Sequence, residues 1–163
     1  MSSFGTDEIR QIVTQYSKTL YRIAFTTLRS IPDAEDIVQE VFLRLLKSKP
    51  QFASQEHQKA WLIRVTINLS RDRIRHSSKT ELPLELCAEL TQSNSDESNS
   101  DLLQVVLTLP EKYRTIIHLY YYEDYTINEI AQILSLPSAT VGTRLARGRA
   151  MLRKMLEGDF SDE

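Results

Sequence analysis

Apolar side chains recur every three or four residues along most of the chain, and this spacing constrains the fold more than any other feature. It places the apolar side chains on one face of an α-helix, whereas a half-buried strand needs strict alternation of apolar and polar residues. Such alternation does not occur over any useful length of the sequence. The pattern therefore predicts an all-α fold.

Three helices are predicted in the first half of the chain. The first covers residues 7–28, and Pro32 then marks a break after which Asp33 caps the second helix. The second helix ends near Lys49, because the residue before a proline disfavours helical geometry. The third helix covers about 57–75.

A polar segment, 79–100, separates two helical halves. Its last residues, SNSDESNS, offer too little apolar surface to fold, so the segment is predicted to be a flexible linker. It would divide the chain into an N-terminal domain, 1–78, and a C-terminal domain, 101–163. The one cysteine, Cys87, lies in the linker, where a lone cysteine is interpreted as incidental, with a redox role as the alternative.

Composition and missing motifs narrow the possible functions. The glycine-dependent patterns GxSxG, GxGxxG and the P-loop do not occur, and one cysteine is too few for a cysteine-rich metal site. No apolar run approaches the roughly 20 residues that span a bilayer, and the N-terminus does not resemble a signal peptide. We therefore expect a cytoplasmic protein that is not an enzyme, with no catalytic residues, cofactor, metal or membrane insertion.

Charge is distributed unevenly, although the formal net charge is only -2. Residues 61–79 contain five basic side chains and one acidic side chain, and 143–156 contain five basic and no acidic ones. The intervening 80–101 contain six acidic and no basic side chains. Two compact basic segments are typical of proteins that bind a polyanion, with solvated helix faces as the alternative.

A helix-turn-helix pattern is predicted in the C-terminal half. Thr126 and Glu129 fit a capping box that starts a short helix, a turn follows at 135–137, and a last helix covers about 138–156. The inner, apolar row of the last helix consists of Val141, Leu145, Leu152 and Met155, with small Gly148 allowing close approach. Its outer, polar side carries Thr140, Thr143, Arg144, Arg147 and Lys154, with Arg149 and Arg153 farther round.

That outer side has the chemistry of a major-groove reader. The planar fork of arginine pairs with guanine, and flanking cations bind phosphates without reading sequence. The alternative is that this side is only a solvated basic face. The capped partner helix and the turn favour DNA contact over that alternative.

A second polar surface is predicted on the third helix. At 3.6 residues per turn, an arc of roughly 100° beside Trp61 gathers several polar side chains. These are Arg64, Asn68, Arg71, Asp72 and Arg75. An indole beside arginines and an amide suits the binding of unpaired bases, although Trp61 could equally cover the edge of the core.

The second helix carries an acidic surface. Asp36, Gln39 and Glu40 lie three and four residues apart on its polar side, where they can dock a basic protein partner. Paired carboxylates also raise an enzyme hypothesis, but carboxylates near a helix N-terminus more simply complement the helix dipole.

Together these segments resemble the bacterial sigma-70 family, specifically its small extracytoplasmic-function group. The matching blocks are DAEDIVQEVFLRLL (33–46), AWLIRVTINLSRDRIR (60–75), LPEKYRTIIHLYYYEDYTINEIAQIL (109–134) and TVGTRLARGRAMLRKML (140–156). They cover nearly all of the chain outside the predicted linker.

The resemblance implies a subunit of RNA polymerase that dissociates from it and directs promoter-specific initiation, with an anti-sigma factor as a further partner. It assigns docking on the beta-prime clamp helices to Asp36, Gln39 and Glu40. Minus-ten DNA is assigned to Trp61, Arg64, Asn68, Asp72 and Arg75. Minus-thirty-five DNA is assigned to Thr143, Ala146 and Arg147, with Arg144 and Arg149 nearer the DNA backbone, and the same domain would contact the beta flap.

Three positions depart from the family pattern. Gly142 stands where a basic residue is frequent and Ala146 where a larger side chain is frequent, so fewer base contacts are expected. Ile63 stands where relatives often have Tyr, which removes one possible stacking partner. The rival hypothesis is an autonomous helix-turn-helix regulator that binds its operator without polymerase.

Overall fold

The computed structural model describes residues 5–76 and 103–161, and every regular element in these two ranges is an α-helix. The predicted all-α fold class is thereby confirmed for the described residues. The predicted linker, 79–100, with Cys87, lies outside them. The chain divides into two compact units, Met1–Thr80 and Glu81–Glu163.

The N-terminal unit consists of three helices that all pack against one another: α1 (Thr6–Leu28), α2 (Ile31–Ser48) and α3 (Gln55–His76). One apolar face of each helix meets the others in a common core, as the three- and four-residue spacing predicts. The most deeply buried side chains of this core are Leu20, Ile23, Val41, Leu45, Leu62, Ile63 and Ile67.

The start of α2 differs from the sequence prediction. Asp33 is not the cap: the helix begins at Ile31, and the Asp33 N–H donates to the Oγ of Ser30 at 3.3 Å. Pro32 lies inside the first turn, where its missing N–H would have no helical partner in any case. The break instead falls at Arg29, whose left-handed φ of 56° closes α1.

The C-terminal unit is built from shorter helices around one long one. A helical turn at 103–107 precedes α4 (Glu111–Tyr121), α5 (Ile127–Leu134) and α6 (Ser138–Ser161). Both α4 and α5 pack on α6, which extends five residues beyond its predicted end at Leu156. The core of this unit includes Val106, Leu107, Leu109, Ile116, Ile117, Leu119, Ile130 and Val141.

The predicted close approach at Gly148 is confirmed. A Cβ built on this glycine would lie 3.1 Å from Cγ1 and 3.2 Å from Cδ1 of Ile117, closer than ordinary van der Waals contact. A glycine is therefore what lets α4 and α6 meet at this point.

A buried arginine ties the 103–107 turn to α4. Arg114 is 3% exposed, and its Nη1 donates to the carbonyl oxygens of Leu109 at 3.1 Å and Leu107 at 3.4 Å. These carbonyls lie at the end of a helical turn, where the backbone has no helical donor for them. Arg114 thus joins two elements that are not continuous in the chain.

Within the described ranges, no helix is both long enough and apolar enough to span a membrane.

Candidate protein-docking and nucleic-acid interfaces

The predicted acidic docking residues share the outer face of α2. Asp36, Gln39 and Glu40 are all exposed, and they line an open groove between α2 and α3. We call this groove the acidic groove, and its lining residues are Asp36, Ile37, Gln39, Glu40, Leu43, Leu69, Asp72, Arg73 and His76.

The acidic groove contains an apolar contact that the sequence did not single out. Leu43 is 50% exposed, although leucine is normally buried. It lies one turn beyond Gln39 and Glu40 on the same face of α2. The available signal was its spacing of three and four residues from Glu40 and Gln39, which places a leucine on the polar side of the predicted helix.

The carboxylates of the groove have arginine partners within the chain. Nη1 of Arg73 lies 3.4 Å from the nearer carboxylate oxygens of both Asp33 and Asp36, so it links α3 to α2. Arg44 pairs with Glu40 along α2, with 3.5 Å between Nε and Oε1. Local sequence patterns do not predict the Arg73 contacts, because they join residues about forty positions apart.

The polar side of α3 presents the predicted minus-ten residues together. Arg64, Asn68, Asp72 and Arg75 are exposed, and Trp61 is half-buried. Nη1 of Arg75 lies 3.6 Å from Oδ1 of Asp72, an exposed pair one turn apart. This face can therefore offer an indole edge, an amide and cationic groups to a ligand at the same time.

The surroundings of Trp61 include an aromatic partner from the turn before α3. Phe52 meets Trp61 edge to face with ring centroids 5.8 Å apart, and it meets His57 in the same way at 5.5 Å. Ile63 is 0% exposed in the core, so the side chain at this position points away from the polar face. Ile63 therefore belongs to the core and offers no stacking surface on that face, and the expectation that a Tyr here would add one stays a prediction.

Asp72 connects the two surfaces of the N-terminal unit. It lies on the polar arc of α3 beside Asn68 and also lines the acidic groove beside Asp36. Residues predicted separately for protein docking and for DNA binding thus meet along one edge of α3.

The helix-turn-helix unit is formed by α5 and α6 as predicted. The capping box at its start is confirmed: the Glu129 N–H donates to Thr126 Oγ1 at 3.1 Å, and the Thr126 N–H donates to Glu129 Oε1 at 2.9 Å. The Ser138 hydroxyl lies 2.9 Å from Oδ1 of Asn128, which joins the first turn of α6 to α5. This hydrogen bond restrains the start of α6 against α5 across the turn at 135–137.

The predicted minus-thirty-five residues do not all face the same way on α6. Thr143, Ala146 and Arg147 are exposed, and Arg144 is half-exposed beside them. Arg149 lies farther round and donates from Nε to the hydroxyl of Tyr121 on α4.

Two tyrosines of α4 engage the Arg149 guanidinium. It lies 5.2 Å from the ring centroid of Tyr120 and 5.4 Å from that of Tyr121, within the range of cation–π attraction. The hydrogen bond with Tyr121 raises the pKa of Arg149, which keeps the group charged. Arg149 is therefore held at the α4–α6 edge.

A second groove runs along that α4–α6 edge. Its lining is mainly apolar and includes exposed Leu156 and Tyr121, with cations at its rim. We call it the tyrosine groove, and its lining residues are Val106, Ile117, Tyr121, Tyr122, Arg149, Leu152, Arg153, Leu156 and Glu157. The sequence signal for it was the run of three tyrosines at 120–122, which lies within the 109–134 block that resembles the sigma-70 family.

Among the described residues, no group of three or more His, Cys, Asp or Glu side chains is placed to hold a metal ion.

Each of the two units matches the model of a known protein family. Residues 12–80 match the model for Sigma-70 region 2, and residues 100–152 match the model for Sigma-70, region 4. The two matches together cover most of the chain.

Individual relatives agree with these matches. The chain is 34% identical to the ECF RNA polymerase sigma factor SigW of Bacillus subtilis, over 92% of this chain and 89% of SigW. It is 30% identical to the RNA polymerase sigma factor SigV of the same organism, over 88% of each chain.

Solved structures show the same fold. CnrH in complex with the cytosolic domain of CnrY superposes with a TM-score of 0.71 at 23% identity, covering 96% of this chain and 92% of CnrH. The sigma factor RpoE of Bartonella quintana, solved with the anti-sigma factor NepR, gives 0.70 at 17% identity, covering 93% of this chain and 98% of RpoE. The chain therefore belongs to the extracytoplasmic-function group of the sigma-70 family, whose members bind core RNA polymerase and direct promoter-specific transcription initiation.

Proposed function

We propose that the two units of this sigma factor divide initiation between them: the N-terminal unit docks on polymerase and holds melted minus-ten DNA, and the C-terminal unit reads the minus-thirty-five element. The observation that carries this proposal is the meeting of the acidic groove and the polar face of α3 at Asp72. A docking surface and a DNA surface on one helix suit a protein that works at the junction of polymerase and promoter.

The proposed polymerase contact is the acidic groove. Asp36, Gln39 and Glu40 supply exposed hydrogen-bond acceptors for the beta-prime clamp helices, and Leu43 supplies exposed apolar area one turn beyond Gln39 and Glu40. In an interface of this kind both the apolar contact and the charge pairs contribute to affinity, and the charges also set specificity and the association rate.

The proposed minus-ten contact is the polar face of α3. The edge of Trp61 suits stacking with a base, and Arg64 and Arg75 suit phosphates of the single strand. Asn68 has the amide that can pair with a base edge, and Asp72 orients Arg75 at 3.6 Å.

The proposed minus-thirty-five contact is the outer face of α6. Arg147 is the strongest base-reading candidate, because it is exposed, charged and flanked by Thr143 and Ala146. The small side chain of Ala146 suits contact with a thymine methyl group. Arg144 would bind the DNA backbone. Arg149, whose guanidinium is hydrogen-bonded to the Tyr121 hydroxyl, would bind it as well.

The tyrosine groove is the proposed site for the beta flap. Leu156 and Tyr121 are 39% and 46% exposed, and two arginines stand at the rim. Once polymerase holds both units, their separate DNA contacts act in one molecule, so that weak contacts add through effective concentration.

Regulation by an anti-sigma factor is part of the proposal. The B. quintana RpoE structure was solved with such a partner, and its fold is the fold of this chain. An inhibitor that covered the acidic groove would block docking, which fits a signal-responsive factor that acts in the cytoplasm. We further propose that the chain has no catalytic activity of its own.

The test of the docking site is a pull-down on purified core polymerase. The Asp36→Ala/Glu40→Ala variant should lose most core binding, because it removes two of the three exposed carboxylates of the groove. The matched control, Asp7→Ala/Glu8→Ala, removes two exposed carboxylates from the first turn of α1 and should bind as the unaltered chain does. Equal binding by both variants would refute the docking site.

The test of the reading helix is transcription in vitro over a library of genomic fragments. Arg147→Ala should reduce promoter-specific transcripts about tenfold or more while core binding is kept, since a bidentate base contact is worth about 1–3 kcal/mol. Arg10→Ala removes the same charge from α1 and is the control. Loss of core binding in Arg147→Ala would remove this residue from DNA reading, and tight operator binding without polymerase would favour the autonomous regulator.

A further inference from the structure

All three exposed carboxylates of the acidic groove are paired with arginines of the same chain. Asp36 pairs with Arg73, Glu40 with Arg44 and Asp72 with Arg75, at separations of 3.4 to 3.6 Å. The negative charge that should attract a basic partner to the groove is thus already paired with arginines of the same chain.

Arg73 differs from the other two arginines because its contacts cross between helices. Its Nη1 lies near three oxygens of α2: Oδ1 of Asp33 at 3.4 Å, Oδ2 of Asp36 at 3.4 Å and the backbone oxygen of Asp33 at 3.5 Å. On α3 it points about 160° away from the centre of the polar arc, toward α2. It is therefore placed to act on docking and not on the DNA face.

We propose that Arg73 is an internal competitor for the polymerase-docking carboxylate: it occupies Asp36 in the free protein, and a basic side chain of the partner must share or displace it. The inference rests on the proposed use of the acidic groove for docking. It makes Arg73 a positioning residue that moderates how strongly polymerase is bound and so leaves the sigma factor able to dissociate.

The competing expectation is that Arg73 helps docking by holding the Asp36 side chain in place. An aspartate has few rotamers to fix, so this help is small. Two cations that share one carboxylate also repel each other at close range, and that repulsion acts directly on the incoming partner. The side chain of Asp36 is 62% exposed and that of Arg73 36% exposed, so the pair itself is weak and can be exchanged. Repulsion is the larger effect, and removal of Arg73 should tighten binding.

The experiment measures the affinity and association rate of the full chain for purified core polymerase as a function of salt. Arg73→Met keeps the apolar stem and removes the charge, and it should bind about three- to tenfold more tightly at low salt, mainly through faster association. The gain should shrink as salt screens the groove. Arg73→Lys keeps the charge and should behave as the unaltered chain.

A matched control separates this effect from a general change in net charge. Arg10→Gln removes one positive charge from α1, away from the groove lining, and should leave core affinity within about twofold. Circular dichroism and the melting temperature of each variant show that α2 and α3 stay folded. Unchanged or weaker core binding by folded Arg73→Met would overturn the proposal.

A double-variant cycle separates failure of this inference from failure of the docking proposal. Asp36→Asn alone should weaken core binding, and Arg73→Met should tighten it much less when Asp36 is already Asn. If Asp36→Asn binds normally, the docking site itself is wrong. If Asp36→Asn weakens binding but the effect of Arg73→Met is the same in both backgrounds, the docking site stands and the competition through Asp36 is refuted.

Discussion

The two units of this sigma factor bury polar groups in different ways. In the N-terminal unit, buried hydroxyls bond to their own helix: Thr66 donates to Leu62 O and Ser70 to Thr66 O, each at 2.7 Å. In the C-terminal unit, buried Thr115 likewise bonds within its own helix, to Glu111, but two further buried polar side chains join separate elements. Arg114 reaches back to the 103–107 turn, and Nε2 of His118 lies 2.9 Å from Oε2 of Glu123 beyond the end of α4.

Helix length explains the difference. Helices α1, α2 and α3 have 23, 18 and 22 residues, and their long apolar faces can supply most of the stability of a three-helix unit. Helices α4 and α5 have only 11 and 8 residues, which is marginal without additional contacts. The C-terminal unit should therefore depend more strongly on single polar groups, and the following variants test that contrast.

The largest effect is expected from Arg114→Met. It leaves two buried carbonyl groups without their donor, and should destabilise the C-terminal unit by about 2–4 kcal/mol. Its counterpart, Thr66→Val in α3, removes a hydroxyl that bonds within its own helix and should cost less than about 1 kcal/mol. Hydrogen exchange of the full chain, followed separately in each unit, measures both. Equal losses of hydrogen-exchange protection from Arg114→Met and from Thr66→Val would contradict the proposed difference between the two units.

The next effect is expected from His118→Leu. His118 and Glu123 are 2% and 8% exposed, so this change removes a hydrogen bond to a buried carboxylate and should destabilise the C-terminal unit by about 2–3 kcal/mol. Arg75→Gln breaks the exposed Asp72 pair of the N-terminal unit and should leave its stability unchanged. Denaturation followed by the fluorescence of Trp61, the single tryptophan, reports on the N-terminal unit, and hydrogen exchange reports on the other.

A smaller and internally controlled difference is expected between Gly142→Ala and Gly148→Ala, both in α6. Gly142→Ala meets no atom within 4 Å and should stabilise the helix by about 0.5–1 kcal/mol. Gly148→Ala meets Ile117 at 3.1 Å, and overpacking should outweigh the same gain in helix propensity, for a net loss of about 1 kcal/mol. Thermal denaturation of both variants is the measurement. Equal stabilisation by the two changes would mean that α4 and α6 can separate at no cost.

The smallest effect is expected from Tyr122→Phe. The buried hydroxyl of Tyr122 has no hydrogen-bond partner among the described residues, so its removal should stabilise the C-terminal unit by up to about 1 kcal/mol. Burial raises the pKa of Tyr122 above 10.0, so the unfolded chain ionises first and stability is lost as pH rises above about 10. Stability measured from pH 8 to 11 should therefore decline less in Tyr122→Phe, and an identical decline would contradict this explanation.

Much of the fold follows from local patterns in the sequence. Apolar spacing predicted the helices, and the Thr126–Glu129 capping box was predicted from four consecutive residues because all its partners are local. Gly148 was recognised for the same reason, since a small residue within an apolar row indicates a close neighbour. The cap of α2 was missed because Ser30 and Asp33 are both capping residues, and the choice between them depends on where the left-handed turn at Arg29 falls.

By itself, the sequence determined the all-α class, the helix-turn-helix pattern and which polar residues lie on the same face of a helix. Each of these depends on residues within a few positions of one another. Only the tertiary structure decided which faces share a groove. The placement of Arg73 on Asp36, Arg149 on Tyr121 and Phe52 on Trp61 depends on how helices and turns pack. Such contacts join residues 9 to 37 positions apart, and helical periodicity carries no information about them.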